Sequence, residues 1–324
     1  MEATTQQSSQ TNIFFRPRRL AHVNMFVDGY EQAAKFYIEV AGFEEVYRQP
    51  NNLASFLSNG NTYHDFALLD IQCRHAAKDQ KPGLFHIALE LETEVDLVEG
   101  YRKALEAGIK FDATMDHDVA HSVYTTDPDG NIVEIYADVI EDWRPVKHGS
   151  SNKEKPQWIP GVTTVPVAEA RHPVDPEIRV VESSVFRGRR LTHVAFVTKN
   201  YKSMFDYYTG YAGLVPFVGD RDSAFCVLRG TIGTGDISLL RNEHAQSEGL
   251  HHIGIEVAHE ADLDRALSLL KDNNLHLEAE IDHPARRAVY IQSPDGMRLQ
   301  FYVNRDWAPQ ALANTPSNEA LFLL

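Results

Sequence analysis

The sequence predicts an α+β protein built from four βαβββ modules that pair into two tandem domains. Three observations support this. First, three blocks recur in the same order at a near-constant offset: RRLAHVNMFV (18–27) as RRLTHVAFVT (189–198), GLFHIALELE (83–92) as GLHHIGIEVA (249–258), and DPDGNIVEIYADVIEDWRP (127–145) as SPDGMRLQFYVNRDWAP (293–309). Second, each copy divides again, because a β-rich run with a histidine near its start leads twice into a segment of helical periodicity. Third, short β-rich runs follow each helical segment.

In chain order, LAHVNMFV opens the first module and YEQAAKFYIEVAGF follows, with apolar residues at i, i+3 and i+4 and Gly42 as a C-cap glycine. FEEVYRQ, LASFLSN and YHDFALLD complete it as strands. LFHIALEL opens the second module, EVDLVEGYRKALEAG forms its helix up to Gly108, and the tight turn DPDG joins its last two strands. The first domain therefore spans 19–145 and the second 189–310. Residues 146–188, rich in Pro, Ser and charge, are expected as a linker wrapping the surface. Residues 1–18 are expected as a disordered N-terminal tail without a signal pattern, and 311–324 as a C-terminal tail. Its apolar ALFLL could dock on the domain or on a neighbouring subunit.

Composition excludes some function classes. A formal charge of −15 argues against nucleic acid, which is bound through basic patches, and RPRR (16–19) and RGRR (187–190) are expected as linker ends. No apolar run approaches the roughly 20 residues of a membrane span. Cys73 and Cys226 form no metal or redox spacing, which suits a reducing, cytoplasmic setting.

Two incomplete sheets facing each other form a cup, and equivalent positions of the two modules converge in it. In the first copy these positions hold His22 and His86, and the strand IVEIY adds Glu134 on the face opposite Val133 and Ile135. One histidine in a strand is usually a satisfied core residue. Two at equivalent repeat positions, with a carboxylate, make a facial triad with open coordination positions, suited to non-haem Fe(II), with Mn(II) possible. The second copy has His193, His252 and Gln300, and Gly235 where the first has His64. Glutamine brings no charge, so this cup is expected to hold any divalent cation more weakly and to be mainly structural.

These residues resemble the vicinal oxygen chelate superfamily, in particular its type I extradiol ring-cleavage dioxygenases of the catechol 2,3-dioxygenase kind, across both copies. The run from His117 through Val123, Tyr124, Asp127, Pro128 and Gly130 to Glu134 follows that group's signature, with Met115 departing from it. The resemblance implies iron bound by His22, His86 and Glu134, with His64 as acid–base histidine, Tyr124 hydrogen-bonding a substrate oxygen and His117 supporting from the signature. His64 is expected to titrate near neutrality, and His121 is a lesser alternative to His117. The familiar two-domain members carry the metal in the C-terminal copy, whereas here the intact set is N-terminal.

The implied reaction cleaves a small aromatic diol with O2, beside its adjacent hydroxyls, to a semialdehyde-type product; a homo-oligomer is possible. Phe66, Phe85 and Tyr136 are candidates to line the pocket, and Trp143 and Trp307 are expected as packing residues. A rival on the same fold is a metal-dependent glyoxalase-type isomerase or lyase with His64 as fourth ligand. A second is a non-enzymatic binding module, which would need the cup but no triad.

Overall fold

The computed structural model describes residues 13–153, 155–242, 247–313 and 315–324. In the first half β1 (Arg19–Val27) is followed by α1 (Tyr30–Phe36), β2 (Glu45–Gln49), β3 (Ala54–Leu57) and β4 (Phe66–Asp70). The second module consists of β5 (Gly83–Glu90), α2 (Glu94–Glu106), β6 (Ala113–Asp116), β7 (Ala120–Thr126) and β8 (Ile132–Asp138). A short β9 (Gly149–Ser150) follows, and the sheet order is β6-β7-β8-β5-β1-β4-β3-β2-β9. The two modules meet where β1 runs antiparallel to β5.

The second half repeats the pattern. It contains β10 (Arg190–Thr198), α3 (Tyr201–Asp206), β11 (Val215–Val218), β12 (Phe225–Arg229) and β13 (Ile237–Arg241). Then come β14 (Gly249–Glu256), α4 (Glu260–Leu269), β15 (Leu277–His283), β16 (Arg286–Gln292) and β17 (Arg298–Asn304). The sheet order is β11-β12-β13-β10-β14-β17-β16-β15, and two short helices, α5 (Pro309–Leu312) and α6 (Ser317–Leu323), close the chain.

The helices end where the sequence leads one to expect. After α1 the chain makes one wider helical turn, Tyr37–Ala41, and stops at Gly42, whose φ of 91° an L side chain rarely adopts. Helix α2 is capped by Thr93, which accepts from the Asp96 backbone N–H at 3.1 Å, an interaction worth about 1 kcal/mol. Its Leu97 and Ala104 face the core.

One apolar core joins the two halves, drawing Val23 and Met25 from β1, Ala33 and Ala34 from α1, Val194 and Phe196 from β10, and Met204 from α3. Strand alternation then leaves the opposite face of each sheet for other uses. On β1 a register shift between Leu20 and His22 breaks the alternation, so Leu20 faces the core while Ala21 joins a separate small cluster with Tyr63, Ala88 and Tyr136. The same shift recurs between Leu191 and His193 on β10.

The halves are clasped by two buried aspartates related by the repeat. Asp236 accepts from the Leu20 N–H at 2.6 Å, and Asp65 accepts from the Leu191 N–H at 3.1 Å. Burial outweighs these donors, pushing Asp65 up to about 6 and Asp236 up to about 7.

Three segments differ from expectation because they contain apolar or charged residues that the fold buries. Of the expected tail, residues 1–12 lie outside the described residues, but Phe15 is buried against Gly100 and Arg18 and Arg19 bind Glu90 at 3.2 and 2.7 Å. RPRR is thus an internal ion-pair donor. The expected linker buries Trp158 and Phe186, pairs β9 with β2 and supplies part of a pocket wall. The C-terminal segment is helical and buries Leu321, Leu323 and Leu324 on its own domain. Among the described residues no helix is long and apolar enough to cross a membrane.

The aspartate clasp gives a signed pH dependence. A carboxyl raised in the folded protein favours folding most below its ordinary value near 3.8, and that contribution is lost as pH rises through about 7. For Asp236 the loss amounts to roughly 4 kcal/mol at most. Urea unfolding of Asp236→Asn between pH 5 and 8 should give a flatter stability profile than the parent protein. Parallel profiles would rule out this source.

Candidate metal centre

Each functional side chain stands on a strand face turned away from the shared core. On β5, Ile87 and Leu89 enter the core and His86 points the other way; on β8, Val133 and Ile135 do so and Glu134 is opposed. The parallel register of β5 and β8 sets Ala88 beside Glu134, and His22 on β1 lies beside Ala88. The small alanine leaves space for the three larger groups.

His22, His86 and Glu134 are all buried, and their ligand-capable atoms lie within 4.8 Å of one another. Glu134 Oε2 is 3.1 Å from His22 Nε2 and 3.0 Å from His86 Nε2. Neighbouring donors on an octahedral ion with bonds of roughly 2.1 Å stand about 3 Å apart, so the spacing fits a divalent cation. The polar atoms fit as well: His86 Nε2 is buried and makes no hydrogen bond. Burial pushes His86 below its ordinary value, keeping the neutral, ligating form. Burial alone would raise Glu134, but His22 and His86 outweigh it and hold it well below the usual carboxylate range.

The other expected residues gather around this set. Tyr124 lies opposite Glu134 in the β7–β8 register, and its hydroxyl is 2.9 Å from His117 Nε2. His117 Nε2 is also 3.8 Å from Glu134 Oε1. Burial, reinforced by Glu134, raises Tyr124 far above its ordinary value, so the phenol keeps its proton. His64 packs on His22, with ring centroids 4.1 Å apart. Its Nε2 is 3.1 Å from Asn24 Oδ1, making Nε2 the donor and leaving Nδ1, buried and without a partner, as the basic atom. The expected titration near neutrality does not hold, because burial, then His22, push His64 well below its ordinary value. It is a neutral imidazole.

A pocket of about 570 Å³ opens onto His64, His86, His117, Tyr124 and Glu134. Of the aromatic candidates, Phe85 lines it. Phe66 does not, because its register opposite Val23 turns it into the core, and Tyr136 packs beneath His22 at 5.4 Å. His121 faces away from the pocket, 2.5 Å from Glu94 and stacked on Trp158. Two contributors went unnoticed in the sequence. Ser122 donates to Glu134 Oε1 at 2.5 Å, and Asn24 holds His64. Both are two residues from a recognised position, Tyr124 and His22, so strand alternation carried their signal.

The second cup is built differently. Arg286 is buried with its Nη1 3.0 Å from Gln300 Oε1, 3.4 Å from His193 Nε2 and 3.1 Å from the Leu323 carbonyl. Its guanidinium lies over Trp307 and Tyr302, at 3.8 and 3.9 Å. Burial lowers it to about 10, so it remains a cation. His252 Nε2 is 2.7 Å from the Leu324 carbonyl. A guanidinium, which the sequence did not single out, and the C-terminal helix fill this cup, and Trp307 packs on that guanidinium.

The profile of the Glyoxalase/Bleomycin resistance protein/Dioxygenase superfamily matches residues 19–135 and 190–301, covering both sheets and the strands of both cups. The chain belongs to this superfamily. It is 32% identical over 123 residues to biphenyl-2,3-diol 1,2-dioxygenase 3 of Rhodococcus globerulus, a match covering 37% of this chain and 63% of that protein. It is 28% identical to catechol-2,3-dioxygenase of Bacillus subtilis (strain 168) over 37% of this chain and 41% of that one. The match thus spans less than two thirds of either curated relative. Among solved structures, the Mn(II)-bound glyoxalase from Novosphingobium aromaticivorans shares the fold with a TM-score of 0.62 at 18% identity, over 95% of this chain and 97% of that one. The 2,3-dioxygenase LapB from Pseudomonas sp. KL28 does so with a TM-score of 0.63 at 16% identity, over 89% and 93%.

Two outcomes follow for this superfamily member. Ser122→Ala should weaken divalent-metal binding about tenfold in competition with a chelator, since outer partners orient ligating carboxylates; unchanged affinity would remove Ser122 from the site. Arg286→Ala should lower stability by about 3 kcal/mol or more in urea titration, because Gln300, His193 and a carbonyl lose a buried partner.

Proposed function

We propose that the first domain is an extradiol dioxygenase that cleaves a catechol-type aromatic diol with O2, beside its hydroxyls, to a ring-opened semialdehyde-type product. The observation that carries this reading is a buried two-histidine, one-carboxylate set opening onto a pocket that also holds a neutral histidine and a protonated tyrosine. Fe(II), or Mn(II) on the same donors, held by His22, His86 and Glu134 would supply Lewis acidity and an electron path between diol and O2. That the curated relatives are named as dioxygenases of biphenyl-2,3-diol and catechol supports the same substrate class.

The chain's own groups do the rest. His64 accepts a proton from a diol hydroxyl at Nδ1 while Asn24 fixes its ring through Nε2. Tyr124, protonated, donates to a substrate oxygen, and His117 orients its hydroxyl. Ser122 holds the Glu134 carboxylate in place. Tyr47 and Phe56, stacked at 4.1 Å, and Phe85 line the pocket and exclude water from the ring.

The isomerase reading requires His64 as a fourth ligand. His64 lies outside the set of clustered ligand atoms, which favours the dioxygenase. Protein loaded anaerobically with Fe(II), then given catechols and O2, should consume oxygen and form a yellow product; no uptake with any catechol would overturn the proposal. His64→Ala should retain metal and lose turnover by about 10²–10⁴-fold. Loss of metal instead would move the reading toward the isomerase.

A further inference from the structure

In a chain with a formal charge of −15, the pocket is cationic. Its only carboxylate among the described lining residues is Glu134, at the metal-ligand set, against Arg74, Lys147, Lys153 and Lys155. Asp118 answers two of these, bonding Lys153 and lying 3.5 Å from Lys147. The other two are left over. Arg74, on the exposed loop after β4, has a single polar partner among the described residues, His75 Nε2 at 3.3 Å. Lys155, on the segment between the domains, has no hydrogen-bond or ion-pair partner among them.

Lys155 is no remote surface charge. It lines the same pocket as Glu134, His86 and His117. Desolvation within the pocket, partly offset by Glu134 and reinforced by Lys147 and Arg74, lowers Lys155 to about 8, which leaves it mostly charged at neutral pH. Glu134 is already engaged by His22, His86 and Ser122 and cannot also serve these cations. Two like charges that line one pocket without a carboxylate partner among the described residues are stabilised by an anion brought in from outside. The walls below them, formed by Tyr47, Phe56 and Phe85, suit a flat ring.

We propose that the diol bound in this pocket carries an anionic side chain, a carboxylate, which docks between Arg74 and Lys155 while its ring lies against Tyr47, Phe56 and Phe85. This rests on the ring-cleavage reading for the diol and on the cation pair for the carboxylate, and the two are separable by experiment. The Fe(II)-loaded protein, kept anaerobic so that no turnover occurs, is titrated calorimetrically with 3,4-dihydroxyphenylacetate and with its neutral amide. The acid should bind at least about tenfold more tightly. Arg74→Gln and Lys155→Met should each reduce that preference, and the double variant should bind acid and amide alike. Equal binding in the parent protein, or a preference that survives in the double variant, overturns the inference and leaves the dioxygenase reading intact. Binding of neither compound overturns both. A preference for the acid without any oxygen uptake once air is admitted upholds the anion site and overturns ring cleavage alone.

Discussion

A carboxylate buried to near-complete exclusion of water, with a serine hydroxyl and two imidazole nitrogens as its neighbours, is the constraint around which this protein is arranged. Glu134 is 1% exposed. A cation joining it would offset the cost of burying its charge. The strands, the β1 bulge and the small Ala88 all serve to bring two more donors to the spot where that cation would sit.

The second domain resolves the same problem with opposite signs. Three matching strand positions have changed together: Glu134 corresponds to Gln300, Ser122 to Ala288 and Ala120 to Arg286. The anion is gone, the hydroxyl that oriented it is gone, and a permanent cation has arrived. Gly254, facing His193 where Ala88 faces His22, lets the His193 ring lie against the backbone. The outcome is a cup with its charge supplied by its own side chain and its opening closed by α6. The second cup thus carries a positive centre of its own where the first has a set of donors.

Much of this was legible in the chain because repeats and alternation are periodic signals. The duplicated blocks defined the modules, and equivalence between them singled out His22, His86 and Glu134 over the other histidines. Alternation extended by two residues reaches Ser122 and Asn24. It also explains why His121, one position out of phase with Tyr124, meets Glu94 and Trp158. What lacked a signal was irregular or relational. Arg74 and Lys155 sit in segments with no period, so nothing local tells which way they point. Arg286 is one more arginine on a strand until the cup around it is known to lack an anion. The depth of His64, which decides its protonation, is a property of the packed pocket and not of YHDFALLD.

The paired aspartates between the halves bear on how independent the two domains are. Asp236 of the second half satisfies the amide of Leu20, two residues before His22 on the strand that begins the metal-ligand set. Asp65, immediately after His64, returns the contact to Leu191. Pulling the halves apart would strand two backbone donors and uncover two carboxyls that only the joined interior keeps partly protonated. The second half, its own cup filled by Arg286, is therefore the abutment against which the first holds the positions of His22 and His64.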